Sequence, residues 1–172
     1  PAGNAAPDTT ETIDSVRAQT STDWEMVVVD DGSTDGTVEI VRRFASLDPR
    51  IRLIRQANAG PSCARNHAMR EATRQFFAFL DSDDRWDPEF LAAQLAVFEC
   101  HPETALVTGN GIFLGGPFDG RPTRPVAPGV PVLPLAELIA NERAVFIMTV
   151  FRRAVFDSIG GFDEAQWTSE DY

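Results

Sequence analysis

Twice in this chain an apolar, strand-like run leads directly into clustered carboxylates, and that repetition constrains the fold more than any other feature. The first run, Trp24-Glu25-Met26-Val27-Val28-Val29, is followed by Asp30-Asp31-Gly32-Ser33-Thr34-Asp35-Gly36-Thr37, then by a helical spacing of Val38, Val41, Phe44 and Ala45. The second, Phe76-Phe77-Ala78-Phe79-Leu80, is followed by Asp81-Ser82-Asp83-Asp84-Arg85-Trp86. Short continuous apolar runs bounded by turn residues read as buried strands. Strand, polar turn and helix in succession predict an open α/β sheet, where ligands bind outside the carboxyl ends of the strands. Both acidic turns would then converge on one edge of that sheet.

Acids gathered in this way need compensation. Two like charges about 4 Å apart repel by roughly 4 kcal/mol at an effective dielectric of ~20. Solvent, helix N-termini or a bound cation can supply the balance. The spacing of Asp81 and Asp83 suits a hard divalent ion, which takes oxygen ligands and often shares its sphere with phosphate. A solvated turn is the plainer reading of the same residues, since Asp87-Pro88-Glu89 is a good helix start. An EF-hand is excluded. Asp31, Ser33, Asp35 and Gly36 fit the first half of its loop, but the twelfth position is Arg42, where a bidentate Glu is required.

Elsewhere the pattern alternates. Asp8 with Glu11 predicts a capping box opening a helix to about Gln19. Strands are expected over 24–29, 51–55, 76–80, 104–108 and 145–151, and helices over 37–47, 62–73, 88–100, 134–141 and 153–159. This order implies a mostly parallel sheet with helices on both faces. Residues 109–134 are rich in Gly and Pro and lack periodicity, which marks a functional or variable loop between a 1–108 half and a 135–172 half. With 172 residues, 43% of them hydrophobic, the chain makes one domain.

A net charge of −11 argues against nucleic acid as a partner, because a phosphate backbone needs a basic face. Cys63 and Cys100 are too few for a disulfide framework, so free thiols in a reducing, cytoplasmic compartment are the simpler expectation. Neither a signal peptide nor an apolar span occurs within the given residues.

Five landmarks in order carry a family resemblance: Asp30 to Thr37; Asn58-Ala59-Gly60-Pro61 with Ala64-Arg65-Asn66; Phe79 to Trp86; Gly160-Gly161-Phe162-Asp163-Glu164; and Ser169-Glu170-Asp171. Together they resemble the family 2 glycosyltransferases of the GT-A fold, over nearly the whole chain. The resemblance implies a Rossmann-like α/β domain whose first strand, a short Val and Ile run, is expected ahead of Pro1-Ala2-Gly3-Asn4 at the centre of the sheet. On that basis the chain is expected to be a catalytic domain cut at both ends.

It also implies roles. Pro1, Ala2 and Asn4 would lie against the nucleotide, and Asp31 would accept from the ring N–H of the base, usually uracil. Arg65 is a nucleotide-side contact, with a helix-surface arginine as the alternative. Asp81 and Ser82 lie on the nucleotide, Asp81 reaching the ribose, while Asp83 ligates Mn²⁺ or Mg²⁺ and Asp84 supports it. Asp30 is the structural member of its pair, and Asn66 caps or braces the loop. Asp171, with Glu170 beside it, resembles the catalytic base, and Trp167 is placed at the acceptor or in packing. Many members carry an aromatic residue where this chain has Gly3, a departure that leaves the identity of the base open.

The implied activity is inverting transfer from a nucleotide-sugar, a UDP-sugar by the resemblance, to a saccharide or lipid-linked hydroxyl in cell-surface polysaccharide or glycolipid synthesis. Membrane association would come through segments outside this chain. A nucleotidyltransferase, which would show a Gly-rich basic loop after its first strand, and a non-catalytic nucleotide-sugar-binding fragment stay open as alternatives. An acidic interaction domain is disfavoured, because the acids fall at strand ends instead of along a helix face.

Overall fold

The computed structural model describes residues 5–123 and 148–165. Strands β1 (Met26–Asp31) and β2 (Ile51–Gln56) pair in parallel. Strands β3 (Phe76–Ala78), β4 (Leu106–Thr108) and β5 (Thr149–Arg152) form a second group in the order β3-β5-β4. β5 runs antiparallel to both neighbours, so β3 and β4 point the same way. The helices are α1 (Ala6–Arg17), α2 (Thr37–Leu47), α3 (Pro61–Glu71), α4 (Phe90–Cys100) and α5 (Arg153–Ile159).

β1 forms where β-branched residues, stiff at χ1, follow one another. Val28 and Val29 are buried. The strand does not stop at its acids, as the apolar pattern predicts, but runs on through Asp30 and Asp31. Its register with β2 explains why: Asp30 lies opposite Arg55 and Asp31 opposite Gln56, so each acid finds a polar partner across the ladder. β3, by contrast, ends at Ala78, two residues short of the apolar run.

α2 follows its predicted span, with Val38, Val41 and Phe44 buried at helical spacing. The capping box expected at the start of α1 does not form. Asp8 sits inside the first turn and Ala5 takes the N-cap position. The entry is held from outside the helix instead: the Ala5 N–H donates to Thr37 Oγ1 at 2.9 Å and the Ala6 N–H to Asp35 Oδ2 at 3.1 Å. α1 therefore starts beside the β1–α2 turn, at the carboxyl end of β1. The helix expected over 134–141 and the first residues of the strand expected from 145 lie outside the described residues.

One core joins Ile13 and Val16 of α1 to Trp24, Val28, Val41, Phe44 and Ile51. A second gathers Met69, Phe77 and Phe79, with Phe151, Phe156 and Phe162 packed against them. Full burial of such a side chain contributes about 1.5–3 kcal/mol. Between β1 and β3 lies a cleft of about 740 Å³ lined by Met26, Val27, Phe76, Phe77, Trp86 and Phe98 among others. Its lining is that of a core. Neither Asp31 nor the acids of residues 81–84 line it.

Candidate active site

The acidic pair at the end of β1 divides its labour. Asp30 is 1% exposed; its Oδ2 takes a bond from Arg55 Nε at 3.1 Å and its Oδ1 one from the Ser33 N–H at 3.1 Å. It is a structural residue, as the sequence suggests. Asp31 is half-buried and organises the neighbouring loop. Its Oδ1 accepts from Gln56 Nε2 at 2.8 Å and the Ala59 N–H at 2.9 Å, and its Oδ2 from the Gly60 N–H at 2.9 Å. Oδ2 thus carries one bond among the described residues, and a carboxylate oxygen can accept a second.

The turn after Asp31 packs tightly on that loop. Gly32 has φ +83° and a Cβ there would lie 3.2 Å from Asn58, so only glycine fits without displacement. Gln56 is itself braced by His67, whose Nδ1 lies 2.7 Å from Gln56 Oε1. Sequence reasoning gave His67 no role; its position on α3 behind the polar strand end was not visible as a pattern.

α3 connects the two acidic turns. Gly60, its N-cap, donates to Asp31, and Pro61 follows at the first helical turn, where a missing N–H costs nothing. Five residues later, about 7.5 Å along the axis, Arg65 lies 3.5 Å from Asp81 Oδ1. Arg65 is 5% exposed, which sets aside the helix-surface alternative. The structure therefore brings Asp31, Arg65 and Asp81 onto one stretch of the sheet edge.

The Asp81–Asp84 turn closes with the Asp84 N–H on the Asp81 carbonyl at 3.2 Å. Asp83 is exposed, while Asp81, Ser82 and Asp84 are half-buried. Burial raises the Asp84 carboxyl above its usual value, and the charges of Asp83 and Asp81 push it further up. This turn carries an excess of negative charge beyond what Arg65 offsets. Among the described residues no group of three or more His, Cys, Asp or Glu side chains is placed to hold an ion alone. Carboxylate oxygens from such a turn fit a hard divalent cation that completes its sphere with phosphate and water.

What fixes this turn in space comes from α1, and sequence reasoning missed it. Thr12 Oγ1 donates to the Ser82 carbonyl at 2.9 Å, and the Trp86 N–H donates to Ser15 Oγ at 3.2 Å. Gln19 Nε2 donates to the Asp87 carbonyl at 2.7 Å, and Gln19 Oε1 accepts the Leu91 N–H at 2.9 Å. Thr12 and Gln19 are each 4% exposed. The available signal was their i, i+3, i+7 spacing, a polar stripe that ordinarily faces solvent.

On the other side, the Gly160 to Glu164 landmark docks on α3 through Asn66, which bonds Phe162 and Glu164. Pro1, Ala2, Gly3, Asn4, Trp167, Glu170 and Asp171 lie outside the described residues.

The model of glycosyl transferase family 2 matches residues 1–160. The chain belongs to that family. TuaG of Bacillus subtilis, which carries the name of a teichuronic acid biosynthesis glycosyltransferase, is 42% identical over 96 residues, or 55% of this chain and 38% of TuaG. Among solved structures, residues 1–349 of TarS from S. aureus superpose with a TM-score of 0.79 at 25% identity, covering 99% of this chain and 51% of that one. TarS has also been solved with UDP and with UDP-GlcNAc, each at a TM-score of 0.76. The mannosyltransferase PcManGT from Pyrobaculum calidifontis, solved with GDP-Man and Mn²⁺, shares the fold at a TM-score of 0.69 and 24% identity. The α/β architecture is thus that of the GT-A glycosyltransferases. The chain spans 38% of TuaG and about half of the TarS fragment.

Proposed function

We propose that this chain is the core of an inverting, metal-dependent glycosyltransferase that takes its sugar from a UDP-sugar. The observation that carries the reading is the pairing on α3. Gly60 at the helix start holds the carboxylate at the end of β1, and Arg65 in the same helix faces Asp81 of the acidic turn. Family membership and the likeness to TarS support the substrate class.

In this reading Asp31 Oδ2 accepts the ring N–H of uracil, Asp81 and Ser82 lie against the ribose, and Arg65 balances Asp81 while the diphosphate is present. Asp83, with Asp84 behind it, would hold Mn²⁺ or Mg²⁺. When bound, the ion neutralises charge on the departing diphosphate. The acceptor hydroxyl attacks the anomeric carbon in line, and the new C–O bond forms as the bond to the diphosphate breaks. Asp171 takes the hydroxyl proton, with Glu170 beside it, and the configuration inverts in a single displacement. The residues hold donor and acceptor in register, which itself supplies much of the rate. Pro1, Ala2 and Asn4 complete the nucleotide side. The acceptor is a saccharide or lipid-linked hydroxyl of a cell-surface polymer or glycolipid, met on the cytoplasmic face of the membrane.

General base catalysis contributes about 10²–10⁴-fold. In the full-length protein Asp171→Asn should lose that much turnover on UDP-GlcNAc while its affinity for UDP stays within about twofold. Undiminished turnover would remove Asp171 from the role.

A further inference from the structure

Donor carboxylates and the acceptor-side landmark meet on two adjacent residues of α3. Asn66 is 1% exposed and lies far from any turn of its own. Its Nδ2 donates to the Phe162 carbonyl at 2.9 Å and its Oδ1 accepts the Phe162 N–H at 2.9 Å, so the side chain pairs with that residue as a neighbouring strand would, across 96 residues. Nδ2 also reaches Glu164 Oε1 at 2.9 Å, which takes a second bond from Arg70 at 2.8 Å. The approach is so close that Gly161 admits no side chain: a Cβ there would lie 2.4 Å from Asn66 Oδ1, and its φ of +99° is itself one that other residues avoid.

The preceding residue faces the donor. Arg65 lies 3.5 Å from Asp81 Oδ1 and 5.7 Å from the centre of the Phe162 ring. Phe162 in turn packs edge-on against Phe79 at 5.6 Å, two residues before Asp81. One phenylalanine is therefore gripped through its main chain by Asn66 and through its ring by Arg65 and the residues leading into the acidic turn.

We infer that Asn66 is a positioning residue, which fixes the start of the acceptor-side segment against the donor carboxylate Asp81. The inference rests on the glycosyl-transfer reading above, in which the base Asp171 follows Glu164 by seven residues. Asn66 and Arg70 also hold the Glu164 carboxyl below the usual range, so the anchor stays ionised in mildly acid solution. Misplacing reacting groups by about 1 Å can cost about 10²-fold in rate, and Asn66 acts at that scale without touching either substrate.

The experiment compares full-length wild type with Asn66→Ala and Glu164→Ala; Glu164 is exposed enough for its removal to spare the fold. Each protein is titrated with UDP in Mn²⁺, followed by amide hydrogen exchange with and without UDP, and assayed for UDP release from UDP-GlcNAc. Asn66→Ala should keep UDP affinity within about twofold and lose about 10²-fold in kcat. Exchange over residues 160–172 should rise while β1 and β3 stay as protected as in the wild type. Glu164→Ala should move the same readouts less far. Unchanged exchange over 160–172 in a folded Asn66→Ala, or in Glu164→Ala where Asn66→Ala does not fold, would overturn the inference, and so would affinity and strand protection falling together with kcat in the folded variant, which marks a purely structural residue. The exchange readout needs no acceptor and decides the matter even if Asn66→Ala does not fold, through Glu164→Ala. A wild type that binds neither UDP, GDP nor dTDP removes the glycosyl-transfer reading before any variant is made, and this inference with it.

Discussion

Asp84 shows most directly how charge is distributed in the site. Its carboxyl is raised by burial first, then by Asp83 and Asp81, so the folded protein binds that proton more tightly than the unfolded chain does. With the folded value above the unfolded one, the advantage of the protonated form is fully present below the unfolded value of 3.8 and is lost as the pH rises through the raised one. At neutral pH an ionised Asp84 is therefore a cost. Asp84→Asn should raise Tm there in metal-free buffer, and about 1 kcal/mol corresponds to ~2–4 °C in a domain of this size. The gap should close as the pH falls towards 3.8. Scanning calorimetry across that range checks it, and a variant melting at or below wild type at neutral pH would show the charge to be already balanced. Asp31 and Asp81 stand out in the sequence because acids at the ends of apolar runs are costly unless they are compensated, whereas Arg65 stands out only through the family resemblance. The division between Asp30 and Asp31 came from the family resemblance, and the structure supplies a physical ground for it: buried Asp30 needs a full partner and has one in Arg55.

Helices carry the part of the site that was hardest to read. α1 looks from its sequence like a capped surface helix, yet its polar residues Thr12 and Ser15, with Gln19 just beyond its end, face inward and bind the backbone between Ser82 and Leu91. Nothing local distinguishes a polar stripe that meets water from one that meets another backbone, and the same limit applies to its N-terminus, which is held by Thr37 and Asp35 instead of by Asp8. Gln19 bonds three main-chain groups at once, the carbonyls of Ser15 and Asp87 and the Leu91 N–H. Gln19→Ala should cost about 1–3 kcal/mol, the usual penalty for leaving a buried donor or acceptor unpaired. Urea unfolding with an unchanged m-value would record it, whereas full wild-type stability would mean that water replaces the side chain. α2 was legible to the residue because its apolar spacing, its glycine entry and its exposed charges all agree. α4 was read two residues too long, since Pro88 and Glu89 form a separate turn closed by the Phe90 N–H on the Asp87 carbonyl.

Across the whole molecule, alternation of strands and helices was sufficient to predict an α/β fold, and family membership and fold agree. The direction of β5 was not legible. A short run such as Thr149 to Arg152 has the same composition whichever way it runs, and only its contacts with Phe76–Ala78 and Leu106–Thr108 set it antiparallel. Coupling across the molecule was equally hidden, because Asn66 and Phe162 lie 96 residues apart. No helix among the described residues is long and apolar enough to cross a membrane. The proposed metal-assisted nucleotide site is the edge built by Asp31, Arg65 and the Asp81–Asp84 turn. Its most direct test is calorimetric titration of the full-length protein with UDP, with and without Mn²⁺, beside Asp83→Asn. That assignment requires binding that depends on Mn²⁺ and is lost in Asp83→Asn. Tight UDP binding that ignores both the ion and the substitution, or none to UDP, GDP or dTDP under any condition, would contradict it.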